Sequence, residues 1–233
     1  MALFDSEDHR EELVGSDAAT RALSVAAVEN DFVEGVYDKL ANVYDFVFGP
    51  TLHPGRVEAI KRMSIAPDAR VLEVGVGTGI NLALYPRDAQ ITGIDFSASM
   101  LERARERMWK KELANARLLQ MDAADLKFHD NSFDIVYAPY LISVVPDPVQ
   151  VAQEMRRVCR PGGRIIFLNH FLSPNFLLSK IERLISPLTI HIGFKSDLDL
   201  PAFLAQADLK PVTIEKVNVP RIWSLVTCIK DKN

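Results

Sequence analysis

The chain has 233 residues, which is enough for one large domain or two small ones. Apolar residues make up 48% and charged residues 25%, as in ordinary soluble proteins, and the net charge of −4 argues against a nucleic-acid-binding protein. Two cysteines exclude a disulfide framework, and no apolar run reaches the roughly 20 residues of a membrane-spanning helix.

The N-terminal region divides into an acidic tail and a helical segment. Residues 1–19 are acidic, lack apolar periodicity and lack the basic start of a signal peptide, so we expect a flexible tail on a cytoplasmic chain. Apolar side chains then recur at three- and four-residue steps as far as residue 48, which predicts amphipathic helices. A loop over "GPTLHPG" (49–55) and a short helix over 56–64 follow. Residues 20–35 fit both a packing helix and a helix lying on a membrane surface.

The remainder alternates short apolar runs with helical patterns. The runs that predict strands are 70–74, 90–95, 116–122, 133–138, 164–169, 210–217 and 221–230. The helical patterns between them are 79–85, 97–111 and 148–159. Strands without strict alternation, separated by helices, indicate a parallel sheet that is buried on both faces. The sequence therefore predicts an α/β fold: a Rossmann-like, doubly wound, mostly parallel seven-stranded sheet with a C-terminal antiparallel hairpin.

Chemistry-bearing residues follow the first three strands, where ligands bind in such a sheet. The first strand leads into "EVGVGTG", which contains Glu73 and three glycines, and the next two strands end in Asp95 and Asp122. A glycine-rich turn or an acidic helix cap alone is weak evidence, but together they favour an adenosine-containing cofactor. The spacing is G-x-G-x-G rather than the G-x-G-x-x-G of dinucleotide sites. Glu73 suits the cationic end of S-adenosylmethionine better than a pyrophosphate.

These stretches resemble the class I S-adenosylmethionine-dependent methyltransferases. The matching segments are "VLEVGVGTGINL", "ITGIDFSASML", "MDAADLKFHDNSFDIVYA" and "VCRPGGRIIFLNH". The resemblance implies S-adenosylmethionine as cofactor and S-adenosylhomocysteine as product. It assigns the methionine amino group to Glu73, the ribose to Asp95 and the adenine edge to Asp122. The other cofactor residues it implies are Gly75, Gly77, Thr78, Gly79, Asn81, Phe96, Ser97, Met100 and Ala123.

A closer resemblance extends over most of the chain. The segments "VYDKLANVYDFVFGPTLHPGR" and "NHFLSPNFLLSKIERLISPLTIHIGF" are similar to those of bacterial phospholipid N-methyltransferases of the Rhodobacter type. This similarity implies methylation of phosphatidylethanolamine and its methylated intermediates towards phosphatidylcholine, by a peripheral protein on a preferentially anionic membrane surface. Residues 20–64 would then form a lid over the substrate, and 170–198 a helical insertion after the fifth strand. Within the insertion, the apolar face of 173–188 would contact acyl chains.

Two sets of side chains are candidates for binding a phospholipid headgroup. Aromatic faces suit an increasingly methylated cation, and the candidates for the amine are Tyr37, Tyr44, Tyr140 and His170. Core packing, with the hydroxyl bonded elsewhere, is the alternative for the tyrosines, and a lone histidine is more often structural. Cations suit a phosphodiester, and the candidates are Lys180, Arg183, Lys195 and Arg56. A solvated helix face is the alternative for these. No metal site is predicted, and the oligomeric state is left open.

Other functions remain as alternatives. A quinone C-methyltransferase or a small-amine N-methyltransferase would share the cofactor residues but would leave Lys180 and Arg183 without a phosphate. A non-catalytic cofactor-sensing or membrane-shaping protein could lose the cofactor carboxylates, yet Glu73, Asp95 and Asp122 are all present. The glycine spacing opposes an NAD-dependent oxidoreductase.

Overall fold

A computed structural model describes residues 49–172, 198–218 and 222–232. The strands in these residues are β1 (Arg70–Val74), β2 (Gln90–Asp95), β3 (Ala116–Gln120), β4 (Phe133–Pro139), β5 (Cys159–His170), β6 (Pro211–Val217) and β7 (Trp223–Ile229). The α-helices are α1 (Gly49–Arg62), α2 (Ala98–Lys110), α3 (Pro148–Val158) and α4 (Leu200–Gln206), and Ile80–Leu84 forms a 3₁₀ turn.

The strands form one seven-stranded sheet in the order β3-β2-β1-β4-β5-β7-β6. Neighbouring strands from β3 to β5 are parallel, and β7 is antiparallel to both β5 and β6. The predicted fold is therefore confirmed, including the C-terminal hairpin. In this arrangement the carboxyl ends of β1, β2 and β4 lie side by side, and this edge carries the candidate site.

Alternate residues of the central strands enter two separate cores, one on each face of the sheet. Leu72 and Val136 pack in the cluster that contains Met155 of α3. Val71 and Ile135 pack in the cluster that contains Ala59 of α1. Both faces are therefore covered, which explains why these strands are nearly continuous in apolar residues.

Two helices begin with the caps that their sequences indicate. The Asp147 carboxylate accepts a hydrogen bond from the Gln150 N–H at 2.9 Å, and Pro148 occupies the first helical position of α3. The Ser97 hydroxyl accepts a hydrogen bond from the Met100 N–H at 3.2 Å at the start of α2. Each cap satisfies a backbone N–H that has no partner inside its helix.

The loop predicted over 49–55 is wrong, because α1 continues through these residues with Pro54 inside it. Proline removes one backbone donor and is unfavourable in a helix interior. Packing offsets this cost, since Leu52, Ala59 and Ile60 are all buried on one side of α1. The proline was a strong local signal, whereas the buried face depends on a sheet that is distant in the sequence.

Helix α4 was not anticipated, although Asp199 caps it by accepting a hydrogen bond from the Ala202 N–H at 2.9 Å. The strand predicted over 164–169 begins earlier, at Cys159, because residues 160–163 form an irregularity before the pairing with β4 resumes at Arg164. The predicted helices in 20–48 and the predicted helix over 173–188 lie outside the described residues. Within the described ranges, no helix is long and apolar enough to cross a membrane.

Candidate active site

The loop after β1 is shaped for close approach of a ligand. Gly75, Gly77 and Gly79 have φ values of +74°, +54° and +75°, respectively. A Cβ added at Gly77 would have no heavy atom within 4 Å, whereas one added at Gly79 would lie 2.8 Å from the Leu82 side chain. The backbone at Gly77 therefore borders open space, while Gly79 is held against packed side chains.

The carboxylate of Asp95 joins the loop after β1 to the start of α2. One oxygen accepts a hydrogen bond from the Gly77 N–H at 2.8 Å, and the other accepts one from the Ser97 N–H at 3.0 Å. Burial raises the pKa of Asp95, and the hydrogen bonds from the backbone oppose this change. Each carboxylate oxygen has a second lone pair, which could accept a ribose hydroxyl.

Glu73 is a fully buried carboxylate beside this loop. Its two oxygens accept hydrogen bonds from Asn81 Nδ2 and from the Tyr85 hydroxyl, both at 2.6 Å. Burial raises the pKa of Glu73 to about 7, against these two hydrogen bonds and the charge of Arg56. The group is thus poised to lose a proton when a cation arrives.

Tyr85 was not among the predicted site residues. It lies four residues after Asn81, and the 3₁₀ turn between them brings both side chains to Glu73. A polar residue and a tyrosine at this spacing, directly after a glycine-rich loop, is the sequence signal that could have identified it.

Arg56 lies in the interior rather than at an exposed surface. Its exposed fraction is 9%, and its guanidinium carbon lies 4.8 Å from the centre of the Tyr140 ring. Its Nη1 is 3.4 Å from the Asn81 amide oxygen, and its Nε has no hydrogen-bond partner among the described residues. The sequence predicts that Arg56 binds a substrate phosphate, but the structure places it beside Asn81, which is hydrogen-bonded to Glu73.

Tyr140 follows β4 and is fixed from several sides. Its hydroxyl donates to the Leu52 carbonyl at 2.9 Å and accepts from Asn218 Nδ2 at 3.0 Å. Trp223 packs against its ring edge-on at 5.0 Å, and Arg56 covers a ring face. Its φ of +57° is uncommon for a residue other than glycine. Tyr140 thus connects α1 to the C-terminal strands at the site.

His170 ends β5 and is paired in register with Trp223 of β7. The two rings lie 5.9 Å apart and nearly perpendicular, so Trp223 contacts both acceptor candidates that the structure describes, Tyr140 and His170. Trp223 was predicted only as part of a strand. Its position depends on the antiparallel register between β5 and β7, which local patterns do not reveal.

The predicted adenine residues flank the ends of β2 and β3. Phe96 is exposed, Met100 is buried and Ala123 is half-buried. Asp122 is exposed, and its carboxylate accepts a hydrogen bond from the Ala124 N–H at 2.8 Å. Two other predicted cofactor residues have structural contacts: Ser97 caps α2, and the Thr78 carbonyl accepts a hydrogen bond from Arg107 Nε at 3.0 Å.

The remaining candidates lie outside the described residues. They are Tyr37, Tyr44, Lys180, Arg183 and Lys195. In the part of the chain that is described, no group of three His, Cys, Asp or Glu side chains could hold a metal ion.

The substitution Tyr140→Phe is expected to lower the free energy of unfolding by about 1–2 kcal/mol, because Leu52 and Asn218 lose a buried hydrogen-bond partner. Denaturant titration measures this loss. Tyr137→Phe is the matched control, since that buried hydroxyl has no partner among the described residues, and its removal should leave stability nearly unchanged. Equal losses in both variants would contradict a specific role for the Tyr140 hydroxyl.

A family model and two relatives that match this chain are all methyltransferases. A family model for a methyltransferase domain matches residues 72–167. A phosphatidylethanolamine N-methyltransferase from Cereibacter sphaeroides is 41% identical over 186 residues, which are 79% of this chain and 91% of that protein. A ubiquinone/menaquinone biosynthesis C-methyltransferase from Geotalea daltonii is 35% identical, with 64% of this chain and 66% of that protein covered.

Solved structures share the fold at low sequence identity. A phosphoethanolamine N-methyltransferase from Haemonchus contortus, in complex with S-adenosyl-L-methionine, superposes with a TM-score of 0.70 at 19% identity, covering 87% of this chain and 60% of that one. The YcgJ protein of Bacillus subtilis superposes with a TM-score of 0.67 at 18% identity, covering 78% of this chain and all of that one. At these identities the similarity establishes the fold alone.

Proposed function

The chain belongs to the class I S-adenosylmethionine-dependent methyltransferases, and from that premise we propose that it methylates the headgroup amine of phosphatidylethanolamine. The methylated intermediates would be further substrates, leading towards phosphatidylcholine. The observation that carries the proposal is the 41% identity to a phosphatidylethanolamine N-methyltransferase, which extends over 91% of that protein. The similarity covers 186 residues and therefore extends beyond residues 72–167, which the methyltransferase family model matches.

The residues at the strand ends fit the methyl donor. The backbone beside Gly77 borders open space, so a ligand can approach it closely. Buried Glu73 is suited to an ammonium group, because a cation favours the ionised form of a carboxylate whose pKa burial has raised. Asp95 retains lone pairs for the ribose hydroxyls. When bound, S-adenosylmethionine supplies a methyl group on a positively charged sulfur.

The acceptor side of the reaction requires a neutral amine aligned with that methyl group. The ammonium form would lose one proton before each transfer, and the nitrogen lone pair would then form the new N–C bond while the donor's C–S bond breaks. Alignment and exclusion of water contribute much of the acceleration in such a transfer. Half-buried Trp223, which packs against the buried rings of Tyr140 and His170, could offer a ring face to the amine, since ring faces attract methylated ammonium groups.

The phosphodiester is assigned to Lys180, Arg183 and Lys195 on sequence grounds. These cations, with Glu182, give residues 170–196 a positive net charge, opposite in sign to the whole chain. We propose that 170–198 contacts the lipid at an anionic membrane surface and that 20–64 covers the acceptor. The protein would then act as a cytoplasmic, peripherally bound enzyme.

The deciding experiment offers radiolabelled S-adenosylmethionine with liposomes of defined composition. We expect label in phosphatidylethanolamine and its mono- and dimethyl derivatives. Vesicles of phosphatidylcholine alone have no acceptor amine and serve as the control. If the protein binds S-adenosylmethionine but transfers no label to any amine-bearing lipid, the proposal is overturned.

A quinone ring carbon is the second candidate acceptor, because the chain is 35% identical to a C-methyltransferase of quinone biosynthesis over 64% of its length. The same assay separates the two by including demethylated quinone in the vesicles. Label in the quinone and none in phosphatidylethanolamine would favour this alternative.

A further inference from the structure

Arg56 is a buried cation whose position the acceptor chemistry does not explain. It comes from α1, yet it lies beside the loop that follows β1, at 9% exposure. In the described part of the chain it forms no ion pair with a carboxylate. Its one hydrogen-bond acceptor there is the Asn81 side chain. A buried charge is costly unless it is balanced, so Arg56 requires a counter-charge nearby.

The counter-charge is Glu73, reached through the amide of Asn81. Arg56 Nη1 points to the amide oxygen at 3.4 Å, and the amide nitrogen donates to Glu73 Oε1 at 2.6 Å. An amide has one oxygen and one NH₂ group, so a cation at the oxygen keeps the NH₂ group directed at the carboxylate. Without the cation, the amide could rotate and turn its oxygen towards Glu73, which would be repulsive.

We propose that Arg56 is a positioning residue of the methyl-donor site, which acts through Asn81 to favour the ionised form of Glu73 and to orient its carboxylate for the donor's ammonium group. The proposal rests on the family's use of S-adenosylmethionine and is independent of the lipid acceptor. It replaces the earlier assignment of Arg56 to a substrate phosphate. Such an anion would have to reach a guanidinium that is nearly buried and stacked on Tyr140.

The docking of α1 fixes Arg56 in this place. The Leu52 carbonyl accepts from the Tyr140 hydroxyl one turn before Arg56. Next to Arg56, a Cβ on Gly55 would lie 2.4 Å from the Asn218 amide oxygen, so any larger residue would displace the Asn218 side chain. The geometry of the donor site therefore depends on how α1 packs against β4 and the C-terminal strands.

Several titratable or charged groups act on Glu73 from the elements around it. Tyr85 follows the 3₁₀ turn, Tyr137 belongs to β4, Asp95 ends β2 and Arg56 lies on α1. Arg56 is the positive charge among them and lowers the pKa of Glu73, whereas Asp95 raises it. Removing the Arg56 charge should therefore move deprotonation of Glu73 to higher pH.

The test compares two ligands in calorimetric titrations from pH 6 to pH 8.5. S-adenosylhomocysteine carries the amino-acid end, and 5′-methylthioadenosine lacks it. For Arg56→Met we expect about tenfold weaker S-adenosylhomocysteine binding at pH 7, a pH midpoint raised by about one unit, and unchanged 5′-methylthioadenosine binding. Arg56→Lys, which retains the charge, should restore the pH midpoint at least partly.

The control is Arg62→Gln, which removes an arginine of the same helix that pairs with Glu58 and Glu215. It should change neither affinity nor the pH midpoint. Equal weakening of both ligands by Arg56→Met would indicate a merely structural role and overturn the proposal. If Arg56→Met leaves the binding of S-adenosylhomocysteine unchanged but raises the KM for the acceptor, Arg56 binds the substrate phosphate instead, and the proposal is overturned. If Arg56→Met fails to fold, Arg56→Gln provides the same comparison.

Discussion

Replacing Glu73 with Gln is expected to weaken binding of S-adenosylhomocysteine about 10- to 100-fold, because a hydrogen bond to a charged group contributes about 1.5–3 kcal/mol. The fold should survive the change. The buried carboxylate has a pKa of about 7, so it already carries a burial cost, and the Tyr85 hydroxyl can reverse to accept from the new amide. Calorimetry with S-adenosylhomocysteine measures the loss, and 5′-methylthioadenosine, which lacks the ammonium group, should bind as before.

The same residue predicts how cofactor affinity depends on pH. Burial raises the pKa of Glu73 to about 7 in the free protein, so the group is largely protonated below that pH. An arriving ammonium group favours the carboxylate, and binding therefore releases a proton. Affinity should increase as pH rises through 7 and level off near pH 8. The Glu73→Gln variant should lose this dependence on pH. If the dependence remains, a group other than Glu73 is responsible for it.

Substitution of glycines in the loop after β1 should separate ligand binding from stability. Gly77→Ala should lower the free energy of unfolding by only about 1–2 kcal/mol, the cost of a left-handed backbone, because a Cβ there meets no atom within 4 Å. Its methyl group would nevertheless occupy the space next to the donor. We expect at least about tenfold weaker binding of S-adenosylhomocysteine, a loss of about 1.4 kcal/mol.

Gly79→Ala is the matched control and should show the opposite balance. Its Cβ would lie 2.8 Å from the Leu82 side chain and 3.0 Å from that of Ala104. Overpacking adds about 1–3 kcal/mol to the backbone strain, so this variant should lose more stability than Gly77→Ala. Denaturant titration and calorimetry measure the two effects. Wild-type affinity in Gly77→Ala would mean that the donor does not lie against this loop.

The coupling through Arg56 gives α1 a role beyond covering the sheet. Because the helix carries the charge that acts on Glu73, any event that displaces α1 should weaken donor binding. Since the sequence predicts that 20–64 covers the acceptor, acceptor and donor binding would then be linked through one helix. The linkage is reciprocal, so a bound donor should in turn stabilise the docked helix.

Much of the sheet and of the cofactor site could be predicted from local sequence. Short, nearly continuous apolar runs such as 70–74 and 90–95, separated by helical patterns, predict strands that are buried on both faces, and the structure has both with the predicted bounds. Parallel strands bring their carboxyl ends to one edge, so Glu73, Gly77 and Asp95 had to be neighbours once the fold was known. The spacing of these residues along the chain was therefore sufficient to predict that they lie close together.

Only the tertiary structure determined the contacts between distant segments. Asn218 meets Tyr140 across 78 residues of sequence, and Trp223 meets His170 through the register of β7. Pro54 indicated a loop, but burial of one face of α1 outweighed that local preference. The resulting helix places Arg56 close enough to Glu73 to lower the pKa of its carboxyl group. Periodicity records which side chains are buried. It does not record which buried side chains meet, because packing between elements decides that.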